Sequence, residues 1–257
     1  MNAVEVRNVS FNYRGAFVFN NLNFGIKSGS FVTILGRGGS GKSTLFKIFS
    51  GDLNFDGSIV FFNKSIKYNL DKGYLGFISS DLNNFKKNTV IDELIDVLKF
   101  KGTPFNKIKG EIERVARKIR IVDILNCDIK SLNIKKRILV MFALQFLMKP
   151  KVLIIDNAFS YLDNEKLIVK REIRRLCKKC TVINITNDVN ECLWGDEVIF
   201  LGDKIALKKK VMLDVNDFSS NDLDIPFIIS LSEKLKFYGL TDGLYFDMER
   251  LVDDLWQ

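Results

Sequence analysis

The sequence predicts an α/β protein in which a mostly parallel sheet is flanked by helices, interrupted by a helical insert and followed by a small helical appendage. Three observations predict it. FVTIL (31–35), KVLIID (151–156) and TVINIT (181–186) are short, mostly apolar runs of the kind that form strands buried on both faces. Residues 90–148 carry mostly helical spacing, which splits the strand-forming segments into two groups. From residue 218 onward the chain changes character to two short amphipathic segments. At 257 residues, 47% hydrophobic and 27% charged with three prolines, the chain has the length and composition for one large domain plus an appendage.

Taken in order, the first 35 residues read as strands: VEVRNVSFNY alternates, and FVTIL is a buried run. GRGGSGKST follows, then LFKIFSG with helical spacing and a terminating glycine. Asp56-Gly57 reads as a turn before a strand at IVFF (59–62). VIDELIDVLKF and EIERVARKIRIVDIL have apolar residues at i, i+3 and i+4, whereas RILVMFALQFLM is apolar nearly all round and predicts a buried helix. KVLIID returns to a strand, a helix is expected over 164–179, and TVINIT is the next strand. EVIFL and KIAL read as a closing antiparallel pair. IPFIISLSEKLKFYGL and DMERLVDDLW read as the two helices of the appendage. No run of about 18 uncharged apolar residues occurs, so no spanning helix is expected. MNAVEVRNVSF lacks the basic start and apolar stretch of a signal peptide.

The net charge is +8, but the cations are spread along the chain. The small clusters at 135–137 and 208–210 read as solvated faces. Cys177 and Cys180 form a C-x-x-C inside the basic stretch REIRRLCKKC, with no second pair nearby and no histidine anywhere. That argues against zinc and for free thiols. The lack of histidine also excludes histidine-based mechanisms, the serine–histidine triad among them.

One motif carries specific chemistry. Gly36-Arg-Gly38-Gly39-Ser40-Gly41-Lys42-Ser43 fits G-x-x-x-x-G-K-[ST] between a strand and a helix. Glycines let backbone N–H groups curl round a phosphate, and the helix that starts there adds its positive end. Lys42 is placed for the β- and γ-phosphates of ATP, Ser43 for Mg2+, and Thr44 for the α-phosphate. Asp156 closes a buried strand, where such a carboxylate holds magnesium through water and Ser43.

Order and spacing over nearly the whole length resemble the ATP-binding subunit of an ABC transporter, most closely that of an energy-coupling factor transporter. Tyr13 matches the family's adenine-stacking aromatic, although an ordinary strand aromatic also fits there. MKPKVLIID matches the run into the magnesium aspartate. SYLD (160–163) matches the loop that communicates between paired subunits and also fits a helix cap, and TVINITND leads to the family's switch position. The resemblance implies a P-loop NTPase fold, with a RecA-like core, an antiparallel β subdomain and a helical insert at about 77–149 within residues 1–217. It implies that residues 218–257 form a two-helix appendage for dimerisation.

The sequence departs from the family at four working positions. Asn157 stands where a catalytic glutamate follows the aspartate; asparagine orients a water but accepts no proton. Asn187 stands at the switch histidine. Ser79 falls on the glutamine that links magnesium to the membrane subunit, with Asp81, Asn83 or Asn84 as alternatives if the loop shifts. Leu132-Asn133-Ile134-Lys135-Lys136 lies over the LSGGQ signature without its glycines, while Lys135 keeps a charge suited to phosphate. The expectation is a chain that binds ATP with Mg2+ and hydrolyses it poorly or not at all, as the degenerate half of a heterodimer with a more complete ATPase subunit.

By resemblance it would sit on the cytoplasmic face of the cell membrane, held there through a transmembrane coupling subunit, in a transporter whose cargo is a vitamin or metal ion captured by a separate protein. Asp92 and Glu93 open a helix where the family faces basic residues of that subunit; stabilisation of the helix dipole explains them equally. Three other readings stand beside this one: a subunit of a different ABC importer or exporter, a scaffold that uses no nucleotide, and a DNA-linked ABC ATPase. The last lacks the sustained heptads it would need, so no nucleic-acid partner is expected.

Overall fold

The structure is a computed structural model and describes residues 1–80, 85–202 and 206–256. The alternatives at Asp81, Asn83 and Asn84, and the first half of KIAL, lie outside the described residues. Strands β1 (Asn2–Tyr13) and β2 (Ala16–Lys27) form a hairpin, followed by β3 (Phe31–Leu35) and helix α1 (Lys42–Phe49). Then come β4 (Asp56–Phe61), β5 (Lys64–Ser65), α2 (Ile66–Asp71) and β6 (Leu75–Ser79). The helical region holds α3 (Val90–Phe100), α4 (Phe105–Ile119) and α5 (Ile134–Met148). The chain continues through β7 (Val152–Asp156), α6 (Glu165–Leu176), β8 (Thr181–Thr186), β9 (Glu197–Phe200) and β10 (Ala206–Lys209). It closes with α7 (Val215–Ser219), α8 (Phe227–Phe237) and α9 (Met248–Leu255).

Two sheets result. One is antiparallel, in the order β2-β1-β4-β5; the other runs β10-β9-β3-β8-β7-β6 and is parallel except for β10 on β9. β3 and β8 coincide with FVTIL and TVINIT because these strands are covered on both faces, so every position is apolar or internally bonded. One core packs α3, α4, α5 and α6 on one face of the parallel sheet, around Phe142, Phe159 and Ile155. A second packs the antiparallel sheet and α1 on the other face, around Phe49, Phe61 and Ile34. A third gathers α7, α8 and α9 against β9 and the end of β3, around Phe200, Phe218 and Leu35. α7 straddles residue 217, so the polypeptide passes into the tail without a break in packing.

Three local readings change. Asp56-Gly57 is not a turn but the start of β4. Gly57 takes φ +100 against a register shift in β1, where a Cβ would lie 2.3 Å from the Asn8 carbonyl oxygen. β6 was not anticipated: it pairs with β7 and draws residues 77–79 into the parallel sheet, so the first helix after it is α3. Its sequence is interrupted by Gly76, where a Cβ would sit 2.8 Å from Pro150 Cγ and against the mobile end of Gln145. The helix read over 111–125 runs earlier and stops at Ile119, with Arg120 left-handed as its cap. No helix of the described residues is long and apolar enough to cross a membrane.

Candidate functional site

The parallel register gathers the predicted positions on one edge. β3, β8, β7 and β6 point the same way, and their last residues align: Leu35 with Thr186, Asp156 with Ile185, and Ser79 with Asp156. The loops leaving these strands carry residues 36–44, Asn187, Asn157 and the segment after Ser79. In open α/β sheets this carboxyl-terminal edge is where ligands bind.

The loop 36–44 is built around its glycines. Gly41 caps α1 at φ +89, and a Cβ there would lie 2.6 Å from Val18 Cγ1 and 2.7 Å from Phe19 Cε1, so the β1–β2 hairpin presses on the loop. Gly36 is equally constrained, 2.4 Å from Ser40 Oγ and 2.6 Å from the Leu201 carbonyl at the Cβ position. Gly38 and Gly39 face open space. Lys42 folds over the loop, its Nζ donating to the carbonyl oxygens of Gly36 (2.8 Å) and Arg37 (2.6 Å), with Ser40 Oγ at 3.5 Å. Burial lowers the Lys42 pKa, and the Asp156 carboxylate opposes that shift, which sets the ammonium and the carboxylate in one electrostatic neighbourhood. Ser43 is exposed at the first turn of α1, whereas Thr44 is buried.

These residues fit Mg2+-ATP. The open faces of Gly38 and Gly39 leave room beside backbone N–H groups, Lys42 supplies a cation, and Ser43 with Asp156 offers the hard oxygen donors magnesium prefers. Bound there, the metal would neutralise phosphate charge. Tyr13 ends β1, exposed and edge-on to Phe11 with ring centroids 4.8 Å apart.

The departures from the family pattern occupy fixed places. Asn157 takes φ 48, ψ 25, a left-handed conformation asparagine tolerates, and its N–H donates to the Ile185 carbonyl at 2.8 Å. Ser160 Oγ donates to the Asn157 carbonyl, tightening the turn into SYLD. Asn187 is exposed just beyond β8. Asp188 beside it receives Lys166 Nζ at 3.3 Å, and the same ammonium meets buried Glu191 at 3.0 Å. Ser79 is buried at the end of β6.

At the start of α5, Asn133 caps the helix by accepting from the Lys136 N–H. Lys135 does not project freely: its ammonium lies 3.0 Å from Asp163 and 2.9 Å from Glu165, which raise its pKa, Glu165 most. Ser160 of SYLD does not cap a helix, since it lies within the turn 158–161 and α6 is capped by Asn164, whereas Asp163 supplies a partner to the altered signature stretch. Lys136 meets Asp123, so the 135–137 cluster is partly paired, and Lys208 pairs with Asp217.

Asp92 accepts from Thr89 Oγ1 at 2.6 Å. Glu93 is buried and accepts from the backbone N–H groups of Lys86 (2.9 Å) and Lys87 (2.7 Å), so it is spent on its own loop. Arg37 bridges from the phosphate loop to Asp222 in the tail at 2.8 Å. Neither this pair nor the Lys166 network has a local sequence signal, because the partners are far apart in the chain.

The family model described as "ABC transporter" matches residues 19–160. The energy-coupling factor transporter ATP-binding protein EcfA1 of Lactobacillus acidophilus is 32% identical, with 93% of this chain and 90% of that protein covered. Among solved structures, cbiO1 of Clostridium perfringens, part of the ABC transporter complex cbiONQ, superposes with a TM-score of 0.69 at 22% identity, covering 92% of this chain and 95% of that one. The ATP-binding cassette MJ0796, dimeric and bound to ADP and phosphate, superposes with a TM-score of 0.72 at 21% identity, covering 80% and 98%.

Proposed function

The chain belongs to the ABC transporter family, as an ATP-binding subunit of the energy-coupling factor type, and from that premise we propose that it is the poorly hydrolysing half of a heterodimer. It holds ATP on the loop 36–44, with Tyr13 against the adenine, and magnesium on Ser43 and Asp156. The carrying observation is the parallel register that ends β3, which feeds the loop 36–44, and β7, which closes in Asp156, on one edge of the sheet, with an asparagine following the aspartate. Binding needs N–H donors, a cation and metal ligands, all of which remain. Turnover needs a proton acceptor for the attacking water, and loss of a general base typically costs about 10²–10⁴ in rate.

The altered start of α5 supports the same reading. Were that helix to face nucleotide on a second subunit, as in a cassette dimer, the Lys135 charge would arrive already neutralised by Asp163 and Glu165. The second subunit would then supply the working chemistry, and a transmembrane subunit would couple closure of the pair to transport and hold both at the membrane surface.

The test is ATP turnover by the purified chain at high concentration beside Lys42→Ala, with Mg-ATP binding titrated on the same samples. Binding without turnover above the Lys42→Ala background is expected. Lys42-dependent turnover would mean that another residue replaces the missing base. A flat titration to millimolar Mg-ATP would favour the scaffold reading.

A further inference from the structure

At the opposite edge of the parallel sheet from Lys42 and Asp156 lies a cavity of about 590 Å³. It sits where α4, the C-terminal end of α5 and the C-terminal end of α6 converge, beside the entries to β7 and β8. Its lining is one-sided in charge: six cationic side chains against two carboxylates, Glu111 and Glu172. Those carboxylates are already engaged, Glu111 by Arg114 at 2.6 Å and Glu172 by Lys118 at 2.9 Å and by Arg175. Among the described residues, Lys149, Lys178 and Lys179 have no carboxylate within ion-pair distance. Phe146, Leu176 and Val115 give the cavity an apolar floor.

Helix ends do not account for this charge. Cations offset the negative C-terminal end of a helix, but the ends of α5 and α6 carry between them roughly one negative charge. With the two carboxylates counted, a surplus of positive charge is left over. Lys149, at the rim of the cavity, is the left-handed cap of α5 (φ 55, ψ 62), as Arg120 is of α4. Glu111 is held below the ordinary carboxylate range by Arg114, with Lys149 and Lys101 adding to the effect and burial opposing it, as expected in a positive field.

We infer that this cavity binds a small, multiply charged phosphate compound, with phosphates on Lys149, Lys178 and Lys179 and an apolar portion over Phe146 and Leu176. Its volume lies in the range of small-molecule sites, about 300–1,000 Å³. A multiply charged phosphate is the fitting anion, because three lysines without a carboxylate partner line one cavity and lysine binds phosphate as a point charge. The site is separate from the phosphate loop and independent of whether that loop supports turnover.

Calorimetry with inorganic tripolyphosphate on the full chain at low salt separates the two sites. The unaltered chain is expected to give two binding events. Lys42→Ala is expected to remove one, and Lys178→Glu with Lys179→Glu to weaken the other at least tenfold while leaving the first unchanged. Both lysines are exposed, so the double variant is expected to keep its thermal midpoint; Lys149→Glu is a second probe of the same event should it not. A single event abolished by Lys42→Ala, or a second event indifferent to both Lys178→Glu with Lys179→Glu and Lys149→Glu, overturns the inference.

Discussion

At position 157 the backbone is left-handed and pinned by its N–H to Ile185, so a side chain there is aimed by the fold, whatever its identity. Asn157→Glu restores a proton acceptor but not its company, since Asn187 and Ser79 remain. Residues that act as a unit in catalysis are strongly non-additive. Asn157→Glu is therefore expected to raise turnover of the purified chain by less than about tenfold, far below the 10²–10⁴ a general base supplies in a complete site. A phosphate-release assay on the two proteins checks it; a hundredfold gain would mean that Asn157 alone limits the chain.

Gly41 is a sharper case, because both its φ and its neighbours exclude a Cβ. Gly41→Ala is expected to destabilise the fold by about 1–3 kcal/mol, measurable by urea denaturation, and to weaken Mg-ATP binding with it. The four thiols give a third residue-level test. Burial pushes Cys180 and Cys192 up to about 12 and Cys177 up to about 11, whereas Cys127 is only half-buried. One thiol is expected to react with a disulfide reagent in the native chain at pH 8 and four after denaturation. Since the folded thiols ionise later than the unfolded ones, their contribution to stability is complete below the ordinary thiol pKa. It is lost as pH climbs toward 12.

Among the elements, legibility followed burial. β3 and β8 were readable to the residue because both faces are covered, and α3 was readable because its apolar stripe is framed by the Thr89 cap, whose side chain accepts from the Asp92 N–H. β6 escaped because Gly76, packed against Pro150, breaks the apolar run. The phosphate loop was legible because its chemistry lies in consecutive residues. The Lys135 and Lys166 ion pairs were not, since each joins segments that only the fold brings together. Glu93 belongs to this group: its sequence position suited either a helix dipole or a partner's cations, yet it is bonded to two backbone N–H groups in the loop before α3. Glu93→Gln keeps one acceptor and loses the charge, while Glu93→Ala strands both buried donors. Glu93→Ala is expected to cost about 1.5–3 kcal/mol in denaturant unfolding, and Glu93→Gln clearly less. Equal losses would show that the carboxylate serves by its charge alone.

For the molecule as a whole, the tail has two faces of different character. Its inner face closes the third core: Phe218, Ile229 and Leu251 are buried with Phe200 and Leu35, directly behind the strand that feeds the phosphate loop, and Arg37 reaches the tail through Asp222. Removing residues 218–257 would therefore uncover Leu35 and Phe200 and damage the fold before it reported on assembly. The outer face is apolar without an internal reason, with Phe237 84% and Trp256 86% exposed. Large exposed aromatics on a peripheral helix pair are what a subunit interface presents. Phe237→Asp with Trp256→Asp is thus expected to leave the thermal midpoint within about 2 °C, because exposed positions contribute little to stability. The same pair of changes is expected to weaken association with a more complete ATPase subunit at least tenfold, read by analytical ultracentrifugation of the mixed subunits. Unchanged association would remove the tail from the pairing surface and leave it as a lid on the core behind β3.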